Sequence, residues 1–222
     1  MHGCGLARPS QCLRQSRKPR LTTSGPQLAD FGDRPMTTAT LSRLTLVDPA
    51  TATGPIKEVL DGVQDKMGGV PNFMRALAPS PAALKAFLEL SGKLSQGTLD
   101  RKIGERIALL TAETNGCQYC VSAHTELAGN AGLDSDEILA ARRGESSDAK
   151  AAAAVTFTKA VLENKGDVTT GEITAIKEAG FSDGEIAEII THIGLNTLTN
   201  YIGKIAQLDI DWPEVALLGA NG

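Results

Sequence analysis

Aromatic residues and long apolar runs are scarce in this sequence. Only 4% of its 222 residues are aromatic, whereas alanine and leucine are abundant. This balance favours helices, because aromatic side chains are enriched in strands and alanine and leucine are strong helix formers. No apolar run reaches the roughly 18 residues of a membrane-spanning helix, and residues 1–20 lack the apolar stretch of a secretory signal. We therefore expect no membrane association and a cytoplasmic location.

Cysteines are few, and basic residues are outnumbered by acidic ones. Four cysteines in a chain of this length do not form a disulfide framework. Two of them form a close pair, and a reducing compartment with one functional pair is the simpler interpretation. The formal net charge is −4, and an acidic body repels phosphate backbones. We therefore expect no nucleic-acid partner.

Residues 1–35 differ in composition from the rest of the chain. They contain four prolines and six basic side chains against two acidic ones, without helical or strand periodicity. This pattern predicts a disordered basic extension, which is a targeting peptide, a functional basic tail or the result of a mis-assigned start upstream of Met36. Cys4 and Cys12 lie in this segment and receive no chemical role.

After Met36 the apolar residues recur at the three- and four-residue spacing of helices. Ser80-Pro81 has the residue types of a helix start, and Asn115-Gly116 those of a helix stop. No stretch alternates with period two. We predict an all-α fold of about seven or eight helices in a single domain, residues 40–215. Further predicted helix starts are Ser135 and the capping boxes Thr169–Glu172 and Ser182–Glu185.

The residues with redox chemistry are concentrated in one short segment. Cys117 and Cys120 are three apart, and Cys120 and His124 are four apart, so a helix places all three on one face. A helix N-terminus favours a negative charge on Cys117, and His124 can accept the proton of Cys120. The second cysteine can capture an oxidised sulfur as a disulfide before it is oxidised further.

A carboxylate often orients a catalytic histidine, and two glutamates are candidates for that position. Glu105 lies twelve residues before Cys117, and a reversal of the chain at Asn115-Gly116 brings it towards His124. Glu113 is nearer in sequence but lies close to the turn. The spacing alone does not decide between the two.

Two other interpretations of the cysteine pair are a buried structural role and a zinc site. Cysteine is among the most buried residue types. Structural zinc requires four ligands, whereas Cys117, Cys120 and His124 provide three. The only other histidine of the folded region is His192, which we expect to be a core or interface residue in its apolar helix. No metal is therefore expected.

The spacing of the redox segment is Glu105-x11-Cys117-x2-Cys120-x3-His124. This spacing resembles the motif of the alkylhydroperoxidase-D-like (AhpD-like) branch of the carboxymuconolactone decarboxylase superfamily. Gly104-Glu105-Arg106 and the stretch from Val70 to Phe73 fit the same family, as does the helix around His192 to Asn200. The resemblance covers about residues 42–212.

The resemblance implies an AhpD-like helical bundle, assembled as a trimer or hexamer, with a cysteine-dependent peroxidase activity and no organic cofactor. By this analogy Cys120 attacks the peroxide oxygen and Cys117 resolves the sulfenic acid as a disulfide. His124 and Glu105 would relay protons. An external dithiol or a thiol protein, such as a lipoyl adaptor, would restore the pair.

One position departs from the family pattern. The best-studied members have a second histidine between the two cysteines, where this chain has Tyr119. Two alternative functions therefore stay open. The pair could reduce protein or lipoyl disulfides as an adaptor, or it could be the switch of a non-catalytic, redox-responsive helical protein.

Overall fold

The computed structural model describes residues 42–221, with side chains up to residue 219. The predicted basic extension and its two cysteines lie outside this range. Within it the chain forms nine α-helices and no strand, which confirms the all-α prediction. The helices are α1 (Pro55–Met67), α2 (Asn72–Leu77), α3 (Pro81–Leu94), α4 (Arg101–Thr114), α5 (Gln118–Asn130), α6 (Ser135–Arg143), α7 (Ala149–Glu163), α8 (Thr170–Glu178) and α9 (Asp183–Ala206), followed by a 3-10 helix (Leu218–Asn221).

Most helix starts are determined by local capping residues. The Ser80 hydroxyl accepts a hydrogen bond from the Ala83 N–H at the start of α3, with Pro81 as the first helical residue. Both predicted capping boxes are present, at the start of α8 and of α9, with reciprocal side-chain and backbone hydrogen bonds. These hydrogen bonds confirm the predictions. The sequence could predict the caps because a cap depends only on residues within one turn.

Two local predictions need correction. The number of helices in the described range exceeds the expected seven or eight because the sequence did not predict α2, whose six residues are too few to show a helical period. The cap of α6 is Asp134 and not Ser135. The Asp134 carboxylate accepts the Glu137 N–H, and Ser135 is the first helical residue.

Helix α4 is the centre of the bundle and packs against α5, α6, α7 and α9. Its inner face carries Ile103, Ile107 and Leu110, all buried. On another side Arg106 is buried and donates to the Glu137 carboxylate of α6 over 2.6 Å. This central position makes α4 the rigid support against which α5 and α9 are held.

The segment after α9 runs back along α5. The Val215 N–H donates to the Ser122 hydroxyl, and Arg142 donates to the Ala216 carbonyl. The buried side chain of Trp212 packs in the same cluster as the two cysteines of α5. No helix in residues 42–221 is long and apolar enough to cross a membrane.

Candidate active site around the cysteine pair

The turn between α4 and α5 places Cys117 at a helix N-terminus. Gly116 adopts a φ of 63°, in the left-handed region that glycine tolerates, and so reverses the chain at the predicted position. Cys117 is the N-cap of α5, and its sulfur accepts the backbone N–H of Cys120 over 3.3 Å. The chain therefore supplies a hydrogen-bond donor to the Cys117 sulfur before any other helix contributes.

The two cysteines are linked as a disulfide, with their Cα atoms 5.3 Å apart. Both are buried, Cys117 to 1% and Cys120 to 4% exposure. Their surroundings differ, because Cys120 lines the large cavity of the protein and Cys117 is absent from its wall. A molecule in the cavity would therefore meet Cys120 first.

Gly203 of α9 closes the other side of the pair. A Cβ atom at this position would lie 3.2 Å from the Cys117 sulfur and 3.8 Å from the Cys120 sulfur. The missing side chain therefore allows α9 to approach the sulfurs closely. Sequence reasoning missed this glycine, since a glycine inside a helix gives no sign of what it contacts.

The structure distinguishes between the two glutamate candidates. The His124 Nδ1 lies 2.9 Å from Glu105 Oε2. A carboxylate only accepts, so the His124 Nδ1–H donates, and in a neutral ring Nε2 would then be the acceptor. Glu113 instead accepts from Arg142 at 2.8 Å and from the Leu218 N–H at 2.6 Å. Of the two glutamates, Glu105 is the partner of His124.

Tyr119, between the two cysteines, has structural contacts of its own. Its hydroxyl donates to the Asp211 carboxylate over 2.5 Å and accepts the Phe73 N–H over 3.2 Å. Its ring packs edge-on against Trp212, with centroids 5.4 Å apart. Burial, with the adjacent Asp211 charge, raises the pKa of Tyr119 well above its ordinary value. Tyr119 is therefore a neutral link between α5, α2 and the C-terminal segment.

The cavity beside Cys120 has a volume of about 790 Å³. Helices α1, α2, α3, α4, α5 and α9 contribute to its wall. Much of the wall is apolar, and the polar groups include Glu105, His124 and His192 together with the Cys120 sulfur. This combination suits a molecule with an apolar body and one reactive group.

His192 lies on the cavity wall, a position that its sequence context did not predict. Its apolar helix predicts a core or interface position, but the residue is half-buried and lines the cavity from α9. Burial lowers its pKa, against the opposing effect of the Glu105 and Glu188 charges. His192 and His124 are 68 positions apart in the sequence, so no local pattern could reveal that both line the cavity.

The zinc alternative requires a group of ligands around the cysteine pair. In the part of the chain that the structure describes, no group of three or more His, Cys, Asp or Glu side chains could hold a metal ion.

Comparison with known proteins places this fold. Residues 81–163, which include both cysteines, His124 and Glu105, match the carboxymuconolactone decarboxylase family model. No curated protein is similar at a significant level. One similar crystal structure is the alkylhydroperoxidase AhpD core of a peroxidase-related protein from Ralstonia eutropha JMP134. It has 25% sequence identity and a TM-score of 0.68, over 78% of this chain and 94% of the other.

Two further structures share the fold at lower identity. A peroxidase-related protein from Silicibacter sp. TM1040 has 22% identity and a TM-score of 0.65, over 75% of this chain and 92% of the other. The debrominase Bmp8, in complex with 2,3,4-tribromopyrrole, has 18% identity and a TM-score of 0.66, over 78% of this chain and 94% of the other. The fold is thus shared by proteins that are named for different activities.

The close packing at Gly203 predicts different effects of alanine at two glycines of α9. A Cβ atom at Gly194 would have no neighbouring atom within 4 Å, so Gly194→Ala is expected to raise the free energy of unfolding by about 0.5–1 kcal/mol. Gly203→Ala would press on the Cys117 sulfur and is expected to lower it by about 1 kcal/mol. Urea unfolding of both variants in the same redox state measures this. Equal stabilisation by the two alanines would contradict the packing.

Tyr119 predicts a loss of stability in alkali. The fold raises the pKa of Tyr119. The neutral Tyr119 therefore contributes fully to stability below the pKa of an unfolded tyrosine, about 10, and this contribution is lost as pH rises towards the pKa in the folded protein. Tyr119→Phe is expected to remove part of the decline in the free energy of unfolding that urea unfolding should show between about pH 8 and pH 10.5. It should also cost about 1–3 kcal/mol near neutral pH, because Asp211 loses a donor.

An unchanged decline in Tyr119→Phe would show that the raised pKa of Tyr119 is not its source.

Proposed function

Because the chain is an AhpD-like member of the carboxymuconolactone decarboxylase superfamily, we propose that it is a cysteine-dependent peroxidase that reduces hydroperoxides through Cys117 and Cys120. At the level of the family, the fold supports a peroxidase-related antioxidant function. The observation that carries the finer proposal is that Cys120 lines one cavity with His124, whose Nδ1 is bonded to Glu105. Neither a metal nor an organic cofactor takes part in this scheme.

The first step oxidises Cys120. His124 Nε2 takes the proton of the Cys120 thiol, and Glu105 stabilises the imidazolium through Nδ1. The thiolate attacks the terminal oxygen of the hydroperoxide, so an S–O bond forms and the O–O bond breaks. Cys120 becomes a sulfenic acid, and the leaving alkoxide takes the proton from His124 to become an alcohol.

The second step closes the disulfide. Cys117, adjacent to Cys120 at the N-terminus of α5, attacks the Cys120 sulfur. An S–S bond forms and the S–O bond breaks, and the leaving hydroxide combines with the proton of the Cys117 thiol to give water. The first two steps together convert one hydroperoxide and two thiols to one alcohol, one water and one disulfide.

An external dithiol completes the cycle. One of its thiolates attacks Cys120, the sulfur on the cavity wall, and its second thiol then displaces Cys120 from the mixed disulfide. The two cysteines are again thiols and the reductant is a disulfide. Because both sulfurs are buried, a slender dithiol, such as a lipoyl arm on a carrier protein, fits this access better than a thiol on a flat protein surface.

Burial of the pair also supports one alternative. If the cavity admits an arm that carries a disulfide more readily than a hydroperoxide, the reduced pair would reduce that disulfide, and the protein would be a protein or lipoyl disulfide reductase that serves as an adaptor. A purely redox-responsive role has less support, because a link between Cys117 and Cys120 spans only the first turn of α5 and constrains little beyond it.

The assembly and the compartment are part of the proposal. Helix α9 carries an exposed apolar row formed by Ile190, Leu198, Tyr201 and Ile205, and the last two are 53% and 57% exposed. Such a row suits burial between copies in a trimer or hexamer. A pair that must be reduced in each cycle suits the cytoplasm.

Counting thiols after one addition of peroxide tests the proposed roles. All proteins carry Cys4→Ser and Cys12→Ser, so that only the pair is counted. With a slight excess of cumene hydroperoxide, the reduced parent is expected to lose both thiols and release the corresponding alcohol. Cys120→Ser should keep its thiol, and Cys117→Ser should stop at a sulfenic acid that dimedone traps. A Cys120→Ser variant that still consumes peroxide would exclude Cys120 as the attacking residue.

A parent protein that does not react with peroxide but turns over a lipoyl disulfide would favour the adaptor. In that case the pair has the same thiol chemistry with a different substrate.

The pairing of His124 with Glu105 predicts a difference between two glutamines. Glu105→Gln removes the carboxylate that stabilises the imidazolium and is expected to slow the oxidation of Cys120 by about 10–100-fold. Glu113→Gln, on the same helix, affects the contact with Arg142 and should leave this rate within about twofold, although it lowers stability. Stopped-flow measurement of thiol loss compares them. Equal rates for the two variants would remove Glu105 from the proton relay.

A further inference from the structure

His192 lies in the cavity in a position that depends on a second glycine. A Cβ atom at Gly104 of α4 would lie 3.3 Å from His192 Cε1 and within 3.8 Å of both ring nitrogens. The ring of His192 therefore lies against the backbone of α4, where any other residue would crowd it. Gly104 precedes Glu105, and the Glu105 carboxylate, which holds His124, also acts electrostatically on the His192 ring.

The two histidines of the cavity differ in their hydrogen bonds. His124 is held by Glu105 through Nδ1. No side chain or backbone group in residues 42–221 is hydrogen-bonded to the ring of His192, whereas its carbonyl accepts from Asn196. The ring nitrogens of His192 are therefore available to a molecule in the cavity.

The titratable groups around His192 come from three helices. Glu105 belongs to α4, His124 to α5 and Glu188 to α9 itself, one turn before His192. Glu188 is already engaged by the backbone N–H groups of Thr98 and Leu99. Burial outweighs the two carboxylates and lowers the pKa of His192, which favours the neutral ring with its single N–H donor.

We propose that His192 is a second catalytic residue of the cavity, whose neutral imidazole donates a hydrogen bond to the leaving oxygen of the hydroperoxide. This inference rests on the proposed peroxidase function. As the O–O bond breaks, negative charge develops on the oxygen that stays with the organic group, and a positioned donor in a water-poor cavity stabilises that charge. His192 keeps its proton, and the proton that completes the alcohol comes from His124.

The arrangement explains why the cavity contains two histidines. His124 lies one turn from Cys120 on the same helix and removes the thiol proton. The leaving oxygen lies beyond the attacked oxygen, in line with the S–O bond, and is therefore displaced from the sulfur into the cavity. A donor for it must come from another wall, and α9 supplies His192 from there.

Two rates measured on the same proteins test the proposal. The proteins are the parent with only Cys117 and Cys120, and its His192→Leu and His192→Gln variants. The first rate is the oxidation of Cys120 by cumene hydroperoxide, and the second is its alkylation by iodoacetamide. Alkylation requires the thiolate but no donor to a leaving oxygen, so it reports on the thiol and the fold independently.

His192→Leu is expected to slow oxidation by about 10–100-fold and to leave alkylation within about twofold. His192→Gln, which keeps a neutral donor, should recover most of the oxidation rate. If His192→Leu does not fold, His192→Phe replaces it as a ring of similar shape without a donor. An unchanged oxidation rate would overturn the proposal, and so would an equal decrease in both rates, which indicates a structural role.

Failure of the proposed function gives a different result. In that case the parent is alkylated by iodoacetamide but does not react with peroxide, whatever residue is at position 192. A parent that reacts with peroxide, with variants that react equally fast, would overturn only the role of His192.

Discussion

The site depends on the close approach of α9 to the start of α5. Gly203 has no side chain, and this allows the backbone of α9 to lie against the sulfurs of Cys117 and Cys120. Helix α4 holds both partners, since it packs against α5 and α9. Because a packed interior does not deform continuously, this contact sets which sulfur faces the cavity and which one is covered.

The contact gives two chemically similar residues different access. Cys120 lies on the cavity wall with Glu105, His124 and His192. Cys117 lies behind it and accepts a hydrogen bond from the Cys120 N–H at the N-terminus of α5. In the proposed cycle the Cys120 sulfur reacts with the oxidant, and the Cys117 sulfur reacts only with Cys120. A sulfenic acid formed on Cys120 would thus have its resolving partner within the same turn.

Local features of this protein could be predicted from its sequence, and long-range ones could not. The capping boxes of α8 and α9, the turn at Gly116 and the spacing of Cys117 and Cys120 each depend on a few consecutive residues. Two glutamates were consistent with the spacing, and only the packing of α4 on α5 distinguishes Glu105 from Glu113.

Other parts of the site join distant positions. Tyr119 meets Asp211 across 92 residues, and His192 meets the backbone of α4 at Gly104. A short period or a motif does not encode such contacts, because they arise only when separate helices pack. For the same reason the six-residue α2 was missed, since its stability comes from packing and hardly from its own periodicity.

The cavity gives outside molecules access to Cys120 while Cys117 stays covered. Brief treatment of the reduced, folded protein with iodoacetamide, followed by peptide mass spectrometry, measures this difference in access. Both cysteines lie in one tryptic peptide, between Arg106 and Arg142, so fragment ions must locate the label. We expect label on Cys120 in the folded protein, and on Cys117 only after unfolding in urea. Faster labelling of Cys117 than of Cys120 in the folded protein would contradict it.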